Sequence, residues 1–244
     1  MNPTKALYSR LSHHAVLPDG VETHLAGVTL EIMHFEPGEV VVRRGQEASK
    51  AFVACEGWAA RSISLSDGRT QIVNFMLPGD IFDLQVFTGQ PADHTVRALT
   101  PVKVAALSRD KVVEIFTVSS PLAAAMWWAS VQEEAILREQ VVRNGRRSAR
   151  ERVAHLLLEL HERLRMIGEV DGDSFVLPVS QSHIADALGL SYVHVSRVLG
   201  YLEKSGFIER RRSRVTLLDR QALAKLCDFS TLYLTGGEGK GRLG

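Results

Sequence analysis

Residues 181–200 read QSHIADALGLSYVHVSRVLG. Apolar or small side chains stand at the fourth, fifth, eighth, ninth, tenth, fifteenth and eighteenth positions, where two steeply crossing helices need them. Ala185 is small enough for the crossing point, and Gly189 tolerates a positive φ at the turn. Ser180 and Ser191 stand where the N-caps of the two helices belong. The stretch therefore predicts a helix-turn-helix, with an accidental helical hairpin as the alternative.

The second helix of this hairpin has an inward apolar face and an outward face that should enter the major groove of DNA. Arg197 on the outward face is the best candidate for a bidentate contact to guanine. Val193 cannot form a hydrogen bond, so it either contacts a thymine methyl group or simply fits. His194 either touches a base edge or a phosphate, or it is a merely exposed histidine. The predicted DNA contacts in this region are Ser180, Gln181, Ser191, Tyr192, Val193, His194, Ser196, Arg197 and Lys204.

A short β-hairpin is predicted after the second helix, from Phe207-Ile208 and from Val215 to Leu218. A hairpin in this place makes the domain a winged helix. Its arginines would meet phosphates and supply affinity that depends on salt but not on sequence. These arginines are Arg210, Arg211, Arg212 and Arg214.

Residues 28–107 consist of short β-rich runs broken by turn glycines, which is typical of an antiparallel barrel or sandwich. The runs Val40–Val42 and Ala51–Cys55 fit strands, as does the alternation of Ile63 and Leu65 before Asp67-Gly68. Residues 19–27 are predicted to form a short helix before this β-domain.

One long helix is predicted from Pro121 to Asn144, because Ser119-Ser120-Pro121 suits a helix start and Asn144-Gly145 is the next breaker. Its apolar residues form two faces, so two partners are expected: the β-domain and the same helix of a second subunit. The alternative is a helix buried within a monomer. The predicted dimerisation residues are Leu122, Met126, Ala129 and Ile136, and the other face carries Trp128, Val131, Ala135 and Val142.

A further helix is predicted from the capping-box spacing of Ser148 and Glu151, and it should run to about Met166. Residues 144–147 are then a hinge, residues 168–174 a polar loop and residues 175–179 a strand. The predicted domains are a β-barrel sensor domain at 1–118, a dimerisation helix and hinge at 119–147, the winged helix-turn-helix at 148–230, and a flexible tail at 231–244.

Composition excludes several classes of protein. The net charge is only +1, and the longest apolar run, from Leu122 to Ala129, is far shorter than the roughly 20 residues of a membrane span. The first fourteen residues lack the apolar core of a secretion signal, so we expect a cytoplasmic protein that does not enter a membrane. The 2 cysteines, Cys55 and Cys227, have no metal-ligand or redox-motif spacing, so we expect no metal and no cofactor.

The whole pattern resembles the cyclic-AMP receptor protein and FNR (Crp/Fnr) superfamily of bacterial transcription regulators over residues 28–227. The resemblance is carried by the turn glycines with Pro37-Gly38 and Pro78-Gly79-Asp80, then the long helix, then the winged helix with Val195-Ser196-Arg197. It implies an α+β fold with a jelly-roll, cyclic-nucleotide-binding-like β-barrel. It also implies a homodimer, a near-palindromic operator with half-sites one DNA turn apart, and a contact with RNA polymerase.

Departures from the family are equally informative. Cyclic-AMP binders of the family carry Gly-Glu-Leu and Arg-Ser-Ala motifs, where this chain has Asp83-Leu84-Gln85 and residues 92–95. Without that arginine a buried phosphate has no partner, so no response to cyclic AMP is expected. An FNR-type iron-sulfur cluster needs four cysteines and is excluded. The β-domain therefore either senses an unidentified small molecule or has lost sensing. The candidate effector pocket is Asp83, Gln85, Asp93, His94 and Thr95.

Other functional classes have less support. A regulatory subunit that controls a protein partner would not need the helix-turn-helix. An enzyme would need a nucleophile with its base, a phosphate loop or a metal motif, and none is present in the sequence. Asp93-His94 alone is more simply structural. Cys55 as a thiol switch is a side hypothesis, and haem has no histidine pair at a diagnostic spacing.

Overall fold

A computed structural model describes Tyr8, residues 31–118 and residues 120–235. The helix predicted at residues 19–27 and the cap residue Ser119 lie outside these described residues. Packing divides the chain into two compact units. Of the described residues, the N-terminal unit comprises Tyr8, 31–63, 74–118 and 120–134, and the C-terminal unit comprises 64–73 and 135–235. No helix within the described part of the chain is long and apolar enough to span a membrane.

Two four-stranded sheets form the β-structure between residues 31 and 108, with strand orders β1-β8-β3-β6 and β2-β7-β4-β5. The strand pairs with a defined register are antiparallel. This order is that of a jelly-roll, in which two antiparallel sheets face each other. The strands are β1 Glu31–Phe35, β2 Val40–Val42, β3 Lys50–Glu56, β4 Ala59–Ser64, β5 Thr70–Met76, β6 Ile81–Phe82, β7 Thr95–Ala98 and β8 Val102–Ser108.

The alternation of side chains along β3 explains how the sheets pack. Phe52 and Ala54 point to one side and join a cluster with Phe82 of β6 and Val96 of β7. The odd-numbered residues of β3 point to the other side, where they pack with residues 112, 115 and 126 from two helices. Because apolar groups cover both faces of the sheet that contains β3, this strand is continuously buried from residue 51 to residue 55.

Gly57 shows why one turn requires glycine. It lies between β3 and β4 with φ +79°, and a Cβ at this position would overlap the carbonyl oxygen of Pro101. Both the backbone conformation and the space exclude a larger residue.

Two helices follow β8: α1 from Arg109 to Val118, which the sequence pattern did not predict, and the long helix α2 from Ser120 to Arg146. The prediction that α2 ends at Asn144 is wrong by one half-turn. Asn144 stays helical, and its side-chain amide donates to the carbonyl oxygen of Ala187 at 3.0 Å. Tertiary packing thus overrides the local preference of Asn-Gly for a turn. The predicted hinge at 144–147 shrinks to Arg147 and Ser148.

The predicted dimerisation face of α2 is wrong for its described residues. Met126 is 1% exposed and lies in the cluster with β3, and Ala129 packs against the same cluster. Ile136 is 2% exposed and packs with Met166 and Leu234. Met126 and Ile136 are buried in their own chain and are not available to a second subunit, and Ala129 is half-buried against the same chain. The side chain of Leu122 lies outside what the structure describes.

The C-terminal unit is a winged helix preceded by α3, Ala149–Met166, which begins as the capping-box spacing predicted. The predicted loop at 168–174 contains β9, Val170–Asp171, and the predicted strand at 175–179 is β10, Ser174–Val176, which ends before Pro178. The remaining elements are α4 Gln181–Leu188, α5 Tyr192–Lys204, β11 Ile208–Arg211, β12 Arg214–Leu217, α6 Arg220–Cys227 and α7 Leu232–Thr235. The four strands form one sheet in the order β11-β12-β10-β9.

The last described segment is not the flexible tail that the sequence suggested. Leu234 of α7 is 1% exposed, and the hydroxyl of Tyr233 donates to Glu159 Oε2 at 2.8 Å. The same carboxylate oxygen accepts from Arg143 Nη1 at 3.0 Å. Residues 232–235 are therefore fixed on α2 and α3 by a hydrogen bond to a buried ion pair and by an apolar contact.

Candidate nucleic-acid interface

Both helices of the hairpin begin at the predicted caps, and α4 ends at the predicted glycine. The Ser180 hydroxyl accepts from the His183 backbone N–H at 3.2 Å, and the Ser191 hydroxyl accepts from the His194 N–H at 3.2 Å. Gly189 ends α4 with φ +62° and ψ +37°, the left-handed conformation that glycine adopts without strain. The predicted caps and the predicted turn residue are confirmed.

The carboxyl end of α4 is held by side chains from other elements of the C-terminal unit. Besides the bond from Asn144 to Ala187, Arg152 Nη1 donates to the carbonyl oxygen of Leu188 at 3.1 Å. Carbonyl groups in the last turn of a helix lack partners within the helix, and cationic donors there also favour the helix dipole. These bonds fix the end of α4 immediately before the turn into α5.

The outward face of α5 is exposed, and the inward face is buried. Val193 is 62% exposed and Tyr192 is 55% exposed, whereas Val195 and Leu202 are completely buried. Arg197 is exposed, and its guanidinium has no hydrogen-bond or ion-pair partner among the residues that the structure describes. A planar guanidinium that is free to donate is the group that recognises guanine in the major groove.

The other predicted contacts flank this face. Lys204 and Ser196 are exposed on α5, and Gln181 is half-buried at the start of α4. Their roles in DNA binding stay predictions, as does that of the exposed His194.

The four wing arginines divide into two pairs. Arg210 Nη2 donates to Glu203 Oε2 of α5 at 2.5 Å, and the hydrogen bond from Arg210 lowers the pKa of Glu203. Arg211 donates to Glu209 at 2.8 Å. Arg212 and Arg214 are exposed, and neither has an ionic partner within the described part of the chain. The cations available to phosphates are thus chiefly at the tip of the hairpin.

Arg212 itself lies at the turn between β11 and β12 with φ +55°. A non-glycine residue in the left-handed region is uncommon and costs of order 1 kcal/mol. The strained backbone holds a cation at the outermost point of the wing.

The candidate effector pocket in the N-terminal unit contains a network of ion-paired side chains. His94 Nε2 lies 2.8 Å from Asp83 Oδ1, and His94 Nδ1 lies 2.6 Å from Asp93 Oδ1. Arg61 Nη2 donates to the same oxygen of Asp83 at 3.3 Å, and Arg61 Nη1 donates to Glu133 of α2. Asp83, Asp93 and His94 are therefore brought together as predicted, while Gln85 and Thr95 make no contact in this network.

Both ring nitrogens of His94 face carboxylate oxygens, which only accept hydrogen bonds. Burial disfavours the charged imidazole, but the hydrogen bond and charge of Asp83, together with Asp93, outweigh burial and raise the pKa of His94. His94 also lowers the pKa of Asp93 by its hydrogen bond. This arrangement favours the protonated imidazole, in which both ring nitrogens donate to carboxylates.

Sequence reasoning missed Arg61 and Glu133. Arg61 stands two residues after the buried Ala59 on β4, so strand alternation places both on one face, and an arginine there is a signal for a buried ion pair. Glu133 gave no comparable signal, because 72 residues separate it from Arg61.

A cavity of about 130 Å³ lies beside Asp83. Its walls come chiefly from residues 41–43 and 46–50, and Asp83 and Phe52 complete it. Asp83 Oδ2 is buried and has no hydrogen-bond partner among the described residues.

The cysteines lack the properties of redox switches. Cys55 is 1% exposed and Cys227 is 2% exposed. Burial raises the pKa of Cys55, and it raises the pKa of Cys227 to about 12. Because a reactive cysteine needs access and a lowered pKa, the structure contradicts the thiol-switch hypothesis for Cys55. In the described ranges, no group of three or more potential ligand side chains is placed to hold a metal ion.

Two family models match this chain. The cyclic nucleotide-binding domain matches residues 32–118, and the Crp-like helix-turn-helix domain matches residues 151–226. The second match contains the hairpin and the wing described above.

Curated relatives match most of the chain. The nitrogen fixation regulation protein FixK of Azorhizobium caulinodans is 34% identical over 182 residues, which cover 74% of this chain and 73% of the relative. FixK of Rhizobium meliloti is 31% identical, covering 80% of this chain and 86% of the relative. The transcriptional activator protein FnrA of Stutzerimonas stutzeri is 27% identical, covering 78% and 77%.

The fold also matches solved structures. FixK2 from Bradyrhizobium japonicum has a TM-score of 0.75 and 27% identity, and the match covers 83% of this chain and 100% of that one. With the antiparallel sheets and the winged helix described above, these matches confirm the predicted α+β fold.

Proposed function

Because the chain belongs to the Crp/Fnr family of transcription regulators, we propose that it acts as a homodimer on a near-palindromic operator, without control by cyclic AMP or an iron-sulfur cluster. Membership of this family confirms the predicted DNA-binding regulator and the prediction that the chain is not an enzyme. A regulator of transcription acts where the chromosome is, so the proposal places the protein in the cytoplasm. It also includes a contact with RNA polymerase, which is supported by relatives named as transcriptional activators.

The observation that carries the proposal is the capped helix-turn-helix that presents an unpaired Arg197. Arg197 would donate two hydrogen bonds to a guanine in each half-site, while Arg212 and Arg214 would contact phosphates. One set of contacts selects the sequence, and the other supplies affinity for any DNA.

The experiment measures binding of the full chain to an operator selected from a random pool and to a scrambled duplex. Arg197→Ala should lower the preference for the operator by about 1 to 3 kcal/mol per half-site and leave binding to scrambled DNA nearly unchanged. Arg214→Ala should weaken both equally. Equal losses on both duplexes for both variants would contradict this division of roles.

The surface proposed for dimerisation is the exposed face of α2, in place of the face predicted from the sequence. Trp127 is 69% exposed and Val141 is 73% exposed, and Glu134 stands exposed midway between them. These residues are seven apart, the spacing that keeps one helix face against a partner helix. Two large apolar side chains on such a stripe favour a second copy of α2 as the partner.

A charge on this face tests the dimer. Val141→Glu should convert the dimer to a monomer in a sedimentation experiment. It should also greatly weaken operator binding, because binding two half-sites at once requires two linked DNA-binding domains. The matched control is Val113→Glu on α1, which is 42% exposed and lies outside the stripe. A dimer that survives Val141→Glu unchanged would exclude this face.

Independence from cyclic AMP is supported by the charges in the candidate pocket. Arg61 and, when it is protonated, His94 meet the three carboxylates of Asp83, Asp93 and Glu133, so the cluster carries net negative charge. An anionic cyclic phosphate would be repelled there, and Arg61 is already bound by two carboxylates. An effector, if one acts, would be a small molecule in the cavity beside Asp83.

Calorimetric titration with cyclic AMP should show no binding, and operator affinity should not change. Binding at micromolar concentration would contradict this part of the proposal without affecting DNA recognition. Control by an iron-sulfur cluster is opposed by the count of 2 cysteines, both of them buried.

A further inference from the structure

The first turn of α5 exposes apolar surface where a DNA-reading helix usually carries polar groups. Val193 is 62% exposed, whereas the four valine and leucine residues on the inward face of α5 are at most 4% exposed. Nothing in the described part of the chain covers it. Resting on the proposed function, we propose that Val193 reads the methyl group of a thymine in each half-site.

The chemistry of base edges selects thymine. In the major groove guanine and adenine present acceptors or donors, cytosine presents an amino donor, and only thymine presents a methyl group. Valine offers no hydrogen bond, so it would strip water from a polar edge without replacing it, which is costly. Against thymine it buries one apolar group on another, which is favourable.

The side chain itself suits this role. A β-branched side chain has one dihedral angle and few rotamers, so it loses little entropy when it is fixed at an interface. The neighbouring side chains are not wholly apolar, since Tyr192 carries a phenol and His194 an imidazole. The backbone N–H of His194 donates to the capping hydroxyl of Ser191. Val193 is the one wholly apolar side chain on the exposed face of this turn.

The spacing to Arg197 places the thymine relative to the guanine. Residues four apart lie on one helix face, separated by about 6 Å along the axis. Successive base pairs are about 3.4 Å apart. A helix lying along the groove would thus set the thymine one or two base pairs from the guanine read by Arg197.

The test begins with an operator selected from a random pool by the full-length wild-type protein. Each thymine of the half-site is then replaced by deoxyuridine, which keeps every hydrogen-bonding group and removes only the methyl. One thymine, within two base pairs of the guanine that Arg197 requires, should show an affinity loss of about fourfold per half-site. Replacement in both half-sites should multiply to about sixteenfold.

Variants identify the side chain responsible. Val193→Ala should bind the thymine and deoxyuridine operators with nearly equal affinity, because the shorter side chain no longer reaches the thymine methyl. Val113→Ala, the same change at a 42% exposed valine of α1 outside the helix-turn-helix, should keep the full preference for thymine. Val193→Glu should prefer a C·G pair at this position, because a carboxylate accepts from the cytosine amino group. Both changes at residue 193 are on the surface, and thermal unfolding verifies that the variants fold.

The outcomes separate this inference from the proposed function. If the wild type selects no sequence from the pool, both fail together. If it selects an operator whose thymines all tolerate deoxyuridine, the inference is overturned and sequence-specific binding stands. It is overturned equally if the thymine preference survives in Val193→Ala or is lost only in Tyr192→Ala.

Discussion

Replacing the wing arginines one at a time should separate those that meet DNA from those bound by the protein's own carboxylates. Arg212 and Arg214 are exposed and lack ionic partners among the described residues, whereas Arg210 donates to Glu203 at 2.5 Å. The salt dependence of binding counts the phosphates that a protein neutralises. We therefore expect Arg212→Ala and Arg214→Ala to change it strongly and the Arg210 pair to change it little.

The magnitude follows from the number of wings in a dimer. Each phosphate contact contributes about 0.9 to the slope of log affinity against log salt, so loss of one arginine from each of two wings lowers the slope by about 1.8. Over a fourfold increase in salt, wild type should lose about tenfold more affinity than Arg212→Ala. Arg210→Ala alone leaves the charge of Glu203 without a partner, so Arg210→Ala is combined with Glu203→Gln. The salt slope of this double variant should equal that of wild type.

Fluorescence anisotropy with a scrambled duplex measures these slopes without a contribution from base contacts. Thermal unfolding of each variant excludes a general loss of structure. If Arg210→Ala with Glu203→Gln lowers the slope as much as Arg212→Ala, the ion pair between Arg210 and Glu203 opens on DNA. The reasoning from intramolecular pairing would then be refuted.

Three further predictions concern stability. The raised pKa of His94 means that the folded chain holds its proton more tightly than the unfolded chain. Its contribution to stability is therefore complete below about pH 6.5 and is lost as the pH rises through the folded-state pKa. In His94→Gln the thermal unfolding midpoint should depend less on pH over this range. His155 behaves oppositely: burial first, then the charges of two arginines, lowers its pKa to about 2, although a carboxylate lies 3.1 Å from Nε2. Its contribution should be present above about pH 6.5 and reduced by about 2 kcal/mol at about pH 5, and comparison of the urea unfolding of wild type and His155→Gln at both pH values isolates it. Tyr233→Phe removes a buried hydrogen bond to Glu159 and should lower the free energy of unfolding by about 2 kcal/mol, against less than about 0.5 kcal/mol for Leu232→Ala, which is 65% exposed. An equal effect of these two variants would show that α7 is not fixed on the fold.

The helix-turn-helix could be predicted because its determinants are local. Ser180 and Ser191 accept from backbone groups three residues away, and Gly189 adopts its left-handed conformation within a single turn. Each constraint acts within one or two turns of helix, so residue type and spacing contain it. The same holds for the start of α3, where Glu151 accepts from the backbone of Ser148 at 2.7 Å.

The faces of α2 could not be predicted in this way. Met126 and Trp127 are adjacent and both apolar, yet one is 1% exposed and the other 69% exposed. Periodicity shows that a helix has apolar faces, but it does not show which face packs on its own chain. That depends on where β3 and α7 place apolar side chains, and they are distant from α2 in sequence.

The ion pairs inside the β-domain depend even more on residues that are distant in sequence. Arg61 is 22 residues from Asp83 and 72 from Glu133. Taken alone, each of these is a charged residue of a type that usually lies on the surface. Closure of the jelly-roll brings them together, and the positive charge that a cyclic phosphate would need is then shared by two carboxylates of the chain. The residues at 83–85 led only to the expectation of no response to cyclic AMP, whereas the structure shows that Arg61 is paired with Asp83 and Glu133.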